Sequence, residues 1–216
     1  MSRPTLLGIA VFLALLAAPG CAREAAPPPD AAALEAEWRA LVERRNELFR
    51  SDSSPLPEPA RADFPGLTYY PFASEFAATA ALVPTLTPDT LYVPTSTGEM
   101  RPMARVGHLT FALGGVPQRL VAYQPAGPLG AGRLFVPFRD RTSGRETFGG
   151  GRYMDVEVGE SGRVVVDFNT AYHPYCVYNE AYSCPLPPPE NTLPLAVEAG
   201  ERFGEGVAYP AAPPSR

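Results

Sequence analysis

The chain has 216 residues, enough for one domain with a real hydrophobic core, and a formal net charge of −5. A mildly acidic chain is a poor binder of phosphate backbones, so no nucleic-acid partner is expected. All 18 basic residues are arginine, which excludes lysine Schiff-base or lysine-base chemistry, and the two histidines are too few for a three-histidine metal site within one chain. The 27 prolines argue against long helices.

Residues 1–20 read as an export signal: Arg3 gives the positive start, a short apolar run follows, and small residues come before Cys21. That run is shorter than the ~20 apolar residues a spanning helix needs. Cys21 stands where a lipoprotein carries its acylated cysteine, although Pro19 is unusual just before it. The expectation is an exported protein of the bacterial cell envelope, tied to a membrane by lipid on Cys21; a cleaved, soluble periplasmic or secreted protein is the alternative. Residues 21–29 form a Pro/Ala tether. A single β-rich domain over 30–202 and a disordered tail over 203–216 complete the predicted organisation.

The domain opens with a helix. Asp30 is a natural N-cap, and Leu34, Trp38, Leu41, Val42 and Phe49 recur at helical spacing. After a Pro/Ser/Asp-rich loop the period changes to that of strands. Candidates lie at 67–72, 91–95, 109–113, 120–124, 133–139, 153–158 and 163–168. Gly114-Gly115 marks one hairpin, and Gly159-Glu160-Ser161-Gly162 marks the clearest one. Short, closely spaced strands imply antiparallel pairing. The predicted fold is therefore an antiparallel β-sandwich or partly closed barrel with one N-terminal helix packed on it.

Two stretches carry chemistry. In the first, Arg139, Arg141, Arg145 and Arg152 surround Gly149-Gly150-Gly151; they suit a carboxylate or phosphate, or else form a solvated loop with an Arg139–Asp140 pair. No GxGxxG or Walker pattern accompanies the glycines, and no cofactor is expected. The second stretch, 164–193, gathers Asp167, Asn169, Tyr172, His173, Tyr175, Cys176, Cys184, Glu190 and Asn191. Cys176 and Cys184 are candidates for a disulfide. A metal site of His173, both cysteines and a carboxylate has a non-standard spacing. A Cys176 nucleophile with His173 as base is a third reading, and buried core thiols a fourth. The tyrosines either pack or line a pocket with fixed polar groups.

Three segments carry a wider resemblance: SSPLPEPARADFPGLTYYPF, LFVPFRDRTSGRETFGGGRYMDV, and VDFNTAYHPYCVYNEAYSCPLPPPENTLPLAVEAGE. They resemble the family known as domain of unknown function 1684, over roughly residues 38–201. The resemblance implies no activity. It implies that Arg139, Asp140, Thr142, Gly144, Gly151, Arg152, Tyr153, Asp167, Asn169, Tyr172, Pro174, Tyr175, Cys176, Cys184, Pro185, Glu190 and Asn191 recur together. His173 departs from the family pattern, which has Asn there, so a histidine base is not essential to the family. The leading expectation is a module that holds a small polar or anionic ligand among Arg139, Asp140, Arg152, Tyr153, Asp167, Asn169, Tyr172, Tyr175, Glu190 and Asn191. A hydrolase or transferase using Cys176 or the Asp167/Glu190 carboxylates is one alternative, and a structural envelope protein is another.

Overall fold

A computed structural model describes residues 29–124, 133–159 and 163–204. The expected signal, tether and Cys21 lie outside the described residues apart from Pro29, as does the tail beyond Gly204.

Helix α1 spans Ala31–Arg50, and Asp30 caps it by accepting from the Ala32 and Ala33 amides. Its apolar stripe faces inward as the spacing requires, with Trp38 against Phe72 and Tyr69 and with Phe49 buried against Phe64 and Tyr178. A short helix, α2 (Glu58–Arg61), follows in the proline-rich loop.

The strands are β1 (Thr68–Tyr69), β2 (Ala77–Pro94), β3 (Met100–Leu113), β4 (Val116–Gln124), β5 (Arg133–Phe138), β6 (Arg152–Glu157), β7 (Arg163–Asp167) and β8 (Glu201–Arg202). Six of them form one antiparallel sheet in the order β6-β5-β4-β3-β2-β7. An isolated bridge between Val158 and Val164 links the two outer strands, so the sheet curls into a nearly closed barrel rather than a sandwich. Strands β1 and β8 pair separately.

The barrel interior holds Leu109, Phe111, Leu120, Val136, Phe138, Met154, Val164, Val166 and Phe168, together with Ala78 and Ala80. Alternation over Gly107–Leu113 of β3 and over Met154–Glu157 of β6 points Leu109, Phe111 and Met154 inward.

Three differences from the sequence reading matter. The segment 153–158 and the segment 163–168 are not a laddered hairpin. Each takes its ladder from another neighbour, β5 or β2, and among the described residues the bridge between the two is Val158–Val164. Strand β2 begins at Ala77, long before the expected 91–95; its first residues are mostly alanine, which carries little β signal. The proline that breaks the pattern, Pro84, sits at a bulge between Pro84 and Asp89, where a strand tolerates it. Opposite, Gly107 lets β3 approach so closely that any Cβ would collide with the Val83 carbonyl. Finally, 67–72 shrinks to the two residues of β1.

Candidate functional site

The predicted polar residues divide into a buried frame and a cavity wall. Arg152 belongs to the frame: its side chain is 1 % exposed and its Nη2 donates to Asp140 Oδ2 at 2.6 Å and to the Val197 carbonyl at 2.8 Å. Its Nη1 donates to the Ala199 and Glu201 carbonyls. Asp140 in turn accepts from the Thr142 amide and hydroxyl. A guanidinium used in this way ties the chain at 197–201 to β6 and, being out of contact with solvent, is not open to a ligand. Arg141 and Arg145 are exposed, so the four arginines around the glycines divide between interior and solvent. Arg139 is half-buried, and burial lowers its pKa. Its main chain bonds Asn191 and Leu193. The glycines serve packing: Gly151 has φ +95°, and a Cβ there would lie 2.5 Å from the Phe138 carbonyl oxygen.

Two asparagines act as pieces of backbone. Asn191 accepts from the Val121 amide at 2.7 Å and donates to the Val121 and Pro137 carbonyls. Among the described residues β4 and β5 pair at Tyr123–Phe135 alone, and this side chain bridges the two strands beyond that pair. Asn169 does the same for Ala73, bonding both its amide and its carbonyl. Asp167 caps the 3-10 turn Phe168–Thr170 and accepts from the Asn169 amide and side chain; burial lifts its carboxyl above the ordinary range. Glu190 is exposed on the turn Pro189–Asn191.

His173 is buried beside Glu201, with Nδ1 3.4 Å from Oε1, and its Nε2 accepts from the Phe148 amide. Its ring packs on Phe203, whose amide bonds Glu146. Burial lowers the His173 pKa and outweighs Glu201. Burial works to raise the Glu201 carboxyl, but His173 and Arg45 hold it below its usual value. Neither cysteine takes part in this cluster, and among the described residues no three His, Cys, Asp or Glu side chains converge as metal ligands.

The cavity lies elsewhere. It measures about 820 Å³ and opens between the ends of β2, β3, β5 and β6 and the loop 172–185. Its aromatic wall is Phe135, Tyr153, Tyr172, Tyr175 and Tyr182. Edge-to-face contacts order the wall: Tyr153 on Phe135 at 4.7 Å, Tyr153 on Tyr172 at 5.8 Å, and Tyr175 on Tyr182 at 5.3 Å. Tyr153 donates its hydroxyl to the Pro185 carbonyl, leaving its ring as the contact surface. Tyr172 donates to Asp155 at 3.0 Å; protein around Asp155 raises its pKa against that hydrogen bond.

Two arginines reach the cavity. Arg45 of α1 bonds Tyr69 and Glu201 and stacks 4.6 Å above the Tyr172 ring. Arg101 of β3 is exposed and has no hydrogen bond or carboxylate partner among the described residues. Cys184 also lines the cavity, whereas Cys176 lies behind it. The two are free thiols in contact, with the Cys176 amide 3.3 Å from Cys184 Sγ.

Of the predicted ligand residues, then, Tyr153, Tyr172 and Tyr175 share the cavity; Arg139, Asp140, Arg152, Asp167, Asn169, Glu190 and Asn191 do not line it. Arg45, Arg101, Asp155 and Tyr182 are additions. Arg45 carried a signal: it falls four residues after Leu41 and four before Phe49, a charge inside an apolar stripe. Arg101 carried none, being an ordinary charge after a turn.

A family model described as protein of unknown function (DUF1684) matches residues 62–202. The chain belongs to the DUF1684 family. The uncharacterized protein from gene locus rrnAC0354 of Haloarcula marismortui, solved by solution NMR, is 34 % identical. The match covers 82 % of this chain and 98 % of that one, with a TM-score of 0.66. No curated protein matches the chain.

Proposed function

We propose that this DUF1684 protein binds a small organic anion with a flat, apolar body. The supporting observation is the cavity of about 820 Å³, in which an aromatic wall faces Arg101, a guanidinium without a carboxylate partner among the described residues. The volume suits a small molecule, the rings supply contact area, and a fork of N–H donors suits a carboxylate or phosphate. Arg45 adds positive potential from the opposite wall, although its donors are engaged by Glu201 and Tyr69.

The test is thermal stabilisation by 4-hydroxybenzoate and phenyl phosphate, wild type against Arg101→Ala and Tyr175→Ala. Arg101 is exposed, so its loss should change intrinsic stability by no more than about 0.5 kcal/mol. A saturable shift in the wild type that disappears in Arg101→Ala supports the reading. A shift that survives in Arg101→Ala refutes the anion site, and no shift with either compound refutes this ligand class.

Export and a lipid anchor on Cys21 are proposed from the N-terminal sequence. The expected outcome is a membrane-bound protein that Cys21→Ser releases into the soluble fraction. A Cys21→Ser protein that still fractionates with membranes would refute the anchor.

A further inference from the structure

Cys176 and Cys184 do not stand in equivalent places. Cys184 forms part of the cavity wall; Cys176 sits in the turn Tyr175–Val177 behind it, packed with Phe148, Tyr153 and Val177. The Cys184 sulfur accepts from the Cys176 amide at 3.3 Å. Arg101, across the cavity mouth, adds positive charge. The amide donor and the Arg101 charge therefore both bear on Cys184, and of the two cysteines it is Cys184 that lines the cavity.

We propose that the pair is a thiol–disulfide exchange site, in which Cys184 attacks a low-molecular-weight disulfide entering the cavity and Cys176 resolves the product. The Cys184 thiolate attacks one sulfur of RSSR, forming Cys184–S–S–R and releasing RS⁻. Cys176 loses its proton to solvent, attacks the Cys184 sulfur and releases the second RS⁻. A Cys176–Cys184 disulfide and two small thiols result, so two electrons pass from the protein to the small disulfide. The new bond pins the turn Tyr175–Val177 to the wall segment 183–185.

The electrostatics agree with this division. The hydrogen bond from Cys176 is the main influence that brings Cys184 down to about 7, against the effect of burial. The same contact, together with burial, pushes Cys176 up. This ordering reverses the one suggested by sequence alone, in which Cys176 is the nucleophile and His173 its base; His173 is committed to Glu201 and Phe148. The site shares the cavity with the proposed anion and does not depend on which ligand fills it.

The experiment uses the full chain with Cys21→Ser, so that Cys176 and Cys184 are its only thiols. The protein is reduced, desalted, mixed with glutathione disulfide at neutral pH, quenched with acid at intervals and weighed intact. The wild-type pair should reach the internal disulfide and retain no glutathione. Cys176→Ser should gain one glutathione and keep it, and Cys184→Ser should react about tenfold more slowly or less. Peptide mapping of early wild-type samples should place transient glutathione on Cys184, a readout independent of the variants' folding. Glutathione first on Cys176, equal rates for the two variants, an adduct retained by the wild type, or no reaction of the wild type would each overturn the proposal.

Discussion

Replacing Arg152 by Met is the sharpest test of the buried frame. The substitution keeps most of the side-chain volume and removes four hydrogen bonds: one to Asp140 and three to the Val197, Ala199 and Glu201 carbonyls. Asp140 would remain as an uncompensated charge with its side chain 0 % exposed. Breaking a buried pair from one side costs about 3–5 kcal/mol. The unpaired carbonyls overlap with that loss and are not added to it. Against a total stability of about 5–15 kcal/mol this is a large fraction. It corresponds to a fall in Tm of roughly 6–20 °C for a domain of this size. Urea unfolding of wild type, Arg152→Met, Asp140→Asn and the double variant completes the cycle, with an expected coupling of about 1–3 kcal/mol. The loss should persist in high salt, because a pair out of contact with solvent is not screened. A cost below about 1 kcal/mol, or one that vanishes in salt, would mean that the pair behaves as a surface ion pair, and the frame would be refuted.

Four further outcomes are expected. Asn191→Ala should cost about 2–4 kcal/mol in urea melts, since it strands the Val121 amide and two carbonyls in the interior; near-neutrality would show that β4 and β5 stay joined unaided. His173 is held below its ordinary value by burial, so the unfolded chain protonates first, and its contribution is full above about pH 6.5 and declines as pH falls toward the folded value. His173→Asn should therefore lose less stability than wild type between about pH 7.5 and pH 5.5, with the raised Asp155 and Asp167 common to both proteins; equal losses would refute the linkage. Tyr172→Phe removes the hydrogen bond that opposes the upward shift of Asp155, so the Asp155 carboxyl should titrate higher still by NMR. Gly151→Ala should lower stability by about 1–3 kcal/mol or more from backbone strain and the contact with Phe138, and a neutral result would show that the turn relaxes.

The β class, the antiparallel pairing and the helix could all be read from the sequence because each rests on local periodicity. The alternation in Leu109-Phe111-Leu113 and the spacing of Trp38, Leu41, Val42 and Phe49 survive in the structure. The first half of β2 is hidden in the sequence because Ala78 and Ala80 belong to the buried core without looking like strand residues. At the site, the stretch 164–193 is crowded with polar groups, but sequence cannot distinguish a polar group that replaces backbone from one that lines the cavity. Asn169, Asn191 and Arg152 are of the first kind, Tyr172 and Tyr175 of the second. Arg101 reaches the cavity through the register of β3 on β2, which pairs it with Val93, a long-range fact with no local trace.

The ladder between β2 and β7 joins Ala77 to Asp167 and Ala81 to Arg163, so a chain emerging in order has its first five strands of the large sheet before it has the last. Until β7 arrives, the near half of β2 is an open edge of Ala and Thr backbone with no charge to deter another chain. Completion by a distant segment also makes for slow folding, because loop closure precedes the reward. A ribosome-stalled or truncated product ending before Arg163 should therefore pair edge to edge and aggregate, and a β7 peptide supplied in trans should suppress it.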